Sequence, residues 1–232
     1  MEIKFTDTAG VADIYYPKPA SEFIPNWYKE TTSYTSTGKK PNGFGQGAGT
    51  IKKCMPVFDA ITAGYIIVLP ADVYVSQKED EKGNLFPWYE WANHDLISFH
   101  PVEQAPEHPA KNGFPYPKWR NAWAIKTPKG YSTMFVQPMH RESLFTILPG
   151  IVDTDEYYAP VHFPFVLNDT TFEGMIPAGT PIAQVIPFKR DSWKIEFGNQ
   201  EDFIEQNKIA IKLISKVFDR YKTMFRTPKE YK

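Results

Sequence analysis

Apolar residues fall along this chain in short runs separated by turn residues, and only near the end do they recur at helical spacing. Residues 54–76, CMPVFDAITAGYIIVLPADVYVS, hold two or three β-branched and aromatic runs broken by Gly64 and by Pro70-Ala71-Asp72, which predicts strands. The charged stretch KEDEKGN, closed by Gly83-Asn84, predicts a hairpin tip leading into LFPWYEW. NAWAIKTP, a Lys129-Gly130 turn and YSTMFVQP predict a further strand pair. Ile151 to Asp153 and Ile182 to Val185 are short apolar runs bounded by turn residues, and they predict two strands of one sheet. The first opens PGIVDTDEYY at 149–158, which reads as a hairpin with carboxylates at its turn.

The two ends of the chain differ from this middle. Pro17, Pro19 and Pro25 prevent a long helix between Ile14 and Tyr28 and predict an extended segment with a short helical turn around Ser21. A polar loop from Thr31 to Thr50 becomes glycine-rich at residues 43, 45, 47 and 49; without a Lys-Ser/Thr pair or a following helix start it reads as a connector rather than a phosphate loop. From His94 to Trp119 five prolines predict an irregular strap. From Glu201 to Phe225, Ile204, Ile209, Leu213, Val217, Tyr221 and Met224 recur at spacings of three to five, an amphipathic helix stopped by Pro228. Its apolar stripe suits either the chain's own sheet or an oligomer interface. The expected organisation is an N-terminal segment over 1–50, a β domain over 51–198, and a helix and tail over 199–232.

Composition sharpens this picture. Twenty-one prolines and 16% aromatics disfavour long helices and favour half-buried sheets. With 26 basic and 27 acidic residues no overall field favours nucleic acid or an anionic membrane, so both are expected to be absent as partners. A single cysteine, Cys54, forms no intrachain disulfide, and the start MEIKFTDTAG lacks the order of a signal peptide. A cytoplasmic, soluble protein is expected, in the host cytoplasm if the chain is phage-encoded.

PGIVDTDEYY and IPAGTPIAQVIPFKR resemble the trimeric dUTPase and dCTP deaminase superfamily, whose members carry a G-[IV]-[IV]-D-x-D-Y hairpin followed by a G-x-x-[IL]-A-Q strand. The resemblance covers mainly residues 138–190. It implies a mainly β fold, a distorted antiparallel jelly roll, here extended by N-terminal segments and a C-terminal amphipathic helix. It further implies a homotrimer with a nucleotide pocket between subunits and magnesium entering with a triphosphate. Carried onto this chain, it makes Asp153 the base that activates water, with Asp155 beside it. Tyr157 or Tyr158 packs against the sugar, Arg141 and Ser143 lie near phosphates, and Gln184 faces the ligand unless it satisfies buried backbone groups instead. The chain departs from the family at Ile66, where an acid is expected after Ala63-Gly64-Tyr65, at Glu142 between Arg141 and Ser143, and at Ala159-Pro160-Val161-His162 after the hairpin. The IPNWYKE opening together with GIVDTD also resembles a family of phage and bacterial proteins, which implies no reaction.

Three functional expectations follow. The first is nucleotide binding, with hydrolysis of a deoxynucleoside or other nucleoside triphosphate at the Asp153 turn. The second is a non-enzymatic phage accessory protein that binds a host protein or sequesters a small molecule. The third is a metal-dependent oxygenase on a jelly roll, for which His94, Asp95, His100, Glu103 and His108 have suitable donor atoms, although no H-x-[DE] pair occurs.

Overall fold

The computed structural model describes residues 1–35, 49–92, 95–104, 107–110, 114–214 and 221–232. In chain order the first strands are β1 (Lys4–Asp7), β2 (Lys18–Pro19), β3 (Tyr65–Val68), β4 (Val73–Glu79), β5 (Leu85–Trp91), β6 (Ile97–His100) and β7 (Tyr116–Trp119). They are followed by β8 (Trp123–Lys126), β9 (Tyr131–Val136), β10 (Phe145–Ile147), β11 (Gly150–Val152), β12 (Phe163–Leu167), β13 (Gly174–Ile176) and β14 (Pro181–Lys189). The helices are α1 (Ala12–Tyr15), α2 (Asn26–Glu30), α3 (Met55–Ile61) and α4 (Gln200–Ile214). The protein is thus mainly β, and its strand pairs are antiparallel.

The chain forms two compact units. The first comprises Met1–Ile24, Ile61–Arg190 and Tyr231–Lys232 and contains all the sheets. One has the order β11-β9-β14-β3-β2, a second β10-β12-β7-β6, a third β13-β4-β5, and β1 pairs with β8. Alternation drives the packing: β12 turns Phe163, Phe165 and Leu167 inward while Pro164 and Val166 stay partly exposed. Trp119 of β7 stacks on Phe165 with ring centroids 4.2 Å apart, and Phe145 of β10 closes the group at 5.1 and 5.4 Å. All three rings are fully buried, and each contributes on the order of 2–3 kcal/mol by leaving water.

The second unit, Pro25–Ala60 with Asp191–Glu230, holds α2, most of α3 and α4. The Tyr28 hydroxyl donates to Lys52 O at 3.1 Å, tying α2 to the turn before α3. Asp59 of α3 accepts from Arg226 Nε at 3.0 Å, from Arg226 Nη2 at 2.7 Å and from Lys229 Nζ at 3.0 Å. Both the Asp59 and Arg226 side chains are only 13% exposed, so this pair fixes the end of the chain to α3.

The expected strands at Ile151 and Ile182 do belong to one sheet, and β4 and β5 do form the hairpin closed by Gly83-Asn84. Other expectations are corrected. Residues 55–61, read as part of a strand run, are helical: Pro56 lies in the first turn, where a missing N–H breaks no helical bond. The proline-rich strap contains β6 and β7, which pair from Ile97↔Trp119 to His100↔Tyr116. β8 and β9 do not pair with each other, because β1 takes β8 as its partner while β9 sits between β11 and β14. The segment at 149–158 is no hairpin either: β11 pairs with β9, whereas the next strand, β12, lies in another sheet. Of the expected amphipathic helix, Gln200–Ile214 is helical and Tyr221–Phe225 forms a π turn; residues 215–220 lie outside the described residues. Gly43, Gly45, Gly47, His94 and Val217 lie outside the described residues.

Candidate functional site

Strand β14 carries the expected site residues to its two opposite ends. Pro181 at its start borders a cleft that contains Arg141, and Arg190, just past its end, meets Asp153. At roughly 3.3 Å per residue the strand sets these ends about 30 Å apart.

At the Asp153 end, the register Val152↔Thr133 brings the residue after β11 beside Ser132. The Ser132 hydroxyl donates to Asp153 Oδ1 at 2.6 Å, and Arg190 Nη1 lies 3.0 Å from the same oxygen. Arg190 also forks onto Asp155, with Nη1 to Oδ1 at 2.7 Å and Nη2 to Oδ2 at 2.5 Å, and Gly130 N donates to Asp155 Oδ2 at 2.8 Å. The Asp155 side chain is 1% exposed and that of Asp153 is 61% exposed. The Arg190 bonds draw the Asp155 carboxyl down to about 2. Asp153 is also held below its ordinary value, first by Ser132 and then by Arg190, with Asp155 opposing. Between them Thr154 is fully buried and shares its hydroxyl with Thr127 and Thr133, each at 2.8 Å. A carboxylate with depressed proton affinity takes a proton from water less readily, so this end is built as a charge clamp.

The other end is built differently. After β9 the chain passes through Gln137, Pro138, Met139 and His140, the last in the left-handed region at φ 55°, before reaching Arg141. Gln184 of β14 fixes this turn: its Oε1 accepts from Met139 N at 2.9 Å and its Nε2 donates to Ala63 O at 2.7 Å. Gln184 is fully buried, with both ends of its amide on backbone groups, and it does not line the cleft. Gln137 Oε1 accepts from Ile147 N at 2.9 Å, which holds the same turn against β10. Gln137 Nε2 and Arg141 Nε and Nη2 are buried yet have no hydrogen-bond partner. All three atoms belong to residues that line a cleft of about 390 Å³, together with Ser143, Glu142, Leu144, Pro177 and Pro181. Burial pulls the Arg141 guanidinium below its ordinary value. Ser143 Oγ accepts from Phe145 N at 3.3 Å, and Ser143 lines the same cleft as Arg141.

Ala63-Gly64-Tyr65 has a packing role. Gly64 is at φ +67°, and a Cβ there would lie 1.9 Å from Val185 O. Ile66 is fully buried opposite Gln184, where an acid would be an unpaired buried charge. The two tyrosines separate: the Tyr158 hydroxyl bonds that of Thr6 and its ring lies under Lys126 Nζ at 5.3 Å, while Tyr157 borders a different cleft of about 490 Å³ with Arg120 and His162. His162 is held below its ordinary value by burial and then by Arg120 and Lys118, and its Nδ1 accepts from Asn121 N at 3.2 Å. Of the expected site residues, then, Arg141 and Ser143 share one cleft, Asp153 and Asp155 share the Arg190 clamp, and Gln184 and Tyr158 are held by their own contacts.

Among the described residues no group of three or more His, Cys, Asp or Glu side chains is gathered as for a metal ion. Of the residues considered for iron, Asp95 pairs with Arg120, His100 Nδ1 meets Gln104, and His108 Nδ1 accepts from Ala110 N at 3.0 Å. Among the described residues no helix is long and apolar enough to cross a membrane. No family model matches the chain, and no curated protein matches it.

Two residues of these centres lie outside the sequence expectations. Arg190 belongs to no expected motif, although it closes the strand that ends beside two acids. Gln137 stands between an apolar strand and Pro138, a place where an amide has little reason to be unless it holds a turn or a ligand.

Proposed function

We propose that this chain binds a nucleoside phosphate, with the phosphates at Arg141 and Ser143 and the nucleoside along Leu144, Pro177 and Pro181. The observation that supports this reading is that three buried, unpartnered donor atoms, Nε and Nη2 of Arg141 and Nε2 of Gln137, belong to residues that line one cleft. A desolvated donor without a partner costs about 1–3 kcal/mol, more when charged, and an anion entering the cleft, toward which the Arg141 and Gln137 side chains turn, removes that cost. The cleft has the volume of a small-molecule site, and Arg141 beside apolar residues suits a ligand with a charged group and a flat body, with Glu142 of the same lining opposing an anion. The resemblance to the dUTPase superfamily, and with it a jelly-roll arrangement of the sheets, supports the same choice of ligand. A triphosphate would bring its own magnesium.

Binding without turnover is the form of the proposal that a single chain favours, since Asp153 is clamped at the far end of β14. A diphosphatase in the manner of the superfamily needs the Asp153 turn of a neighbouring copy beside Arg141, as in the homotrimer that the resemblance implies. The test is a panel of deoxynucleotides, ribonucleotides, pyrophosphate and inorganic phosphate, each with magnesium, read by thermal shift and by product release. A Tm rise with nucleotides that exceeds the rise with inorganic phosphate is expected. No shift with any phosphate compound would remove this reading and leave the accessory-protein alternative, in which the fold binds a host protein.

A further inference from the structure

Beyond β14 the chain changes character. Residues 191–199 carry no helix, strand, bend or turn, and each of them is exposed. Within this run stands Trp193-Lys194-Ile195-Glu196-Phe197, whose apolar side chains alternate with charges at the period of a strand. Trp193 is 91% exposed, Ile195 82% and Phe197 91%. Aromatic side chains present roughly 150–250 Å² each, so two of them and an isoleucine offer on the order of 500 Å² of apolar surface on five residues. A monomer's largest apolar patch is about 300–600 Å² in all, so concentrating as much on a single bare segment calls for a partner.

The charges identify that partner. Laid antiparallel on a second copy of itself about Ile195, the segment puts Lys194 opposite Glu196, Glu196 opposite Lys194, and Trp193 opposite Phe197 on both sides. Directly opposed strand residues of unlike charge attract, and aromatic pairs across a strand pair are favourable. Laid parallel and in register, the segment would set Lys194 on Lys194 and Glu196 on Glu196. The sequence is therefore self-complementary in one orientation. Each copy's apolar side chains give the pair on the order of 1,000 Å² of apolar surface on one continuous face, part of which the cross-strand contacts cover. α4, two residues further on, adds Phe203 at 57% and Ile211 at 67% exposure.

We propose that residues 193–197 form an antiparallel strand pair with the same residues of a second copy of this chain, across a two-fold axis at Ile195. The contact is isologous, so it closes on itself and gives assemblies with an even number of copies.

The experiment is sedimentation velocity of the full chain from about 1 to 100 μM. The wild type is expected as a dimer or a multiple of it. Lys194→Glu alone sets two acids opposite each other twice, and Glu196→Lys alone sets two lysines opposite each other twice. Each variant should weaken association on the order of tenfold. An equimolar mixture of the two variants restores both unlike pairs, so association should return, as it should in the double variant. A second reading uses Cys54→Ser, which removes the exposed natural thiol, combined with Ile195→Cys, which should form a disulfide between copies on mild oxidation. A monomer or a strict trimer across the concentration range, single variants that associate like the wild type, or a mixture that does not recover would each overturn the proposal.

Discussion

Arg190 and Arg141 place the same guanidinium chemistry at the two ends of β14, in contrasting surroundings. Arg190 reaches both Asp153 and Asp155, and Ser132 and Gly130 complete the acceptors' bonds, so its charge is matched within the chain. Arg141 is half-buried, two of its nitrogens are sealed from solvent without a partner, and Glu142 beside it is exposed. A matched charge holds a turn in place; a desolvated and unmatched one is a cost that folding alone does not recover. The difference is the ground for proposing a ligand at the Arg141 end, while the two acids are held by Arg190.

The largest effect is expected from Arg190→Met. It leaves the Asp155 carboxylate, 1% exposed, without its cation and takes one of the two partners of Asp153. The Tm at pH 7 should fall more than for any other change discussed here. The pH dependence has a definite sign. Asp155 in the folded protein lies at about 2, below the unfolded value of about 3.9. Its contribution is therefore present above about pH 4 and is lost as the pH falls toward 2. The gap in Tm between wild type and variant should be full at neutral pH and narrow over that acid window. A variant that melts like the wild type would mean that the clamp is not structural and that Asp153 is free for chemistry.

A smaller effect, opposite in sign, is expected from Arg141→Met. The thioether chain fills much of the same space without donors, so the ligand-free protein should gain up to about 1 kcal/mol. The Tm rise produced by a nucleotide should disappear with it, since that rise measures affinity for the folded state. Loss of stability in the ligand-free variant would show that Arg141 is already matched, and the contrast between the two ends would fail.

Much of this architecture was legible. β4 and β5 announce themselves by alternation and by the Gly83-Asn84 turn, and β11 and β14 by short apolar runs between turn residues, because those signals are local. What could not be read is which strands pair. Thr127 to Gly130 looks like a hairpin turn, but β8 goes to β1 from the other end of the chain, and nothing within residues 121–138 reports that partner. The same holds for the sites. Arg141 and Ser143 are neighbours in sequence and were legible as a pair, whereas the partnership of Arg190 with Asp153 spans 37 positions and depends on β9 lying between β11 and β14. Gln184 was legible only as an alternative, ligand or backbone, because its neighbours Met139 and Ala63 are brought in by tertiary packing.

Asp153→Asn should have the smallest effect. Its side chain is 61% exposed, the amide oxygen still accepts from Ser132 and Arg190, and Arg190 keeps its two bonds to Asp155. A slight Tm change is expected, together with a nucleotide-induced shift equal to that of the wild type, because the Arg141 cleft is at the other end of the strand. The same variant gives the strongest challenge to the contrast drawn here. General-base catalysis contributes roughly a hundred- to ten-thousand-fold in rate. If the wild type releases pyrophosphate from a deoxynucleoside triphosphate and Asp153→Asn loses that activity by a factor of this size while still binding, the acid and the phosphate cleft act on one substrate. Asp153 lies level with Phe188 and the cleft with Pro181, so one chain holds them on the order of 20 Å apart along β14, and the acid would have to come from a neighbouring copy. The clamp would then be a resting arrangement of a catalytic group, and Arg190 would be the residue that releases or restrains it.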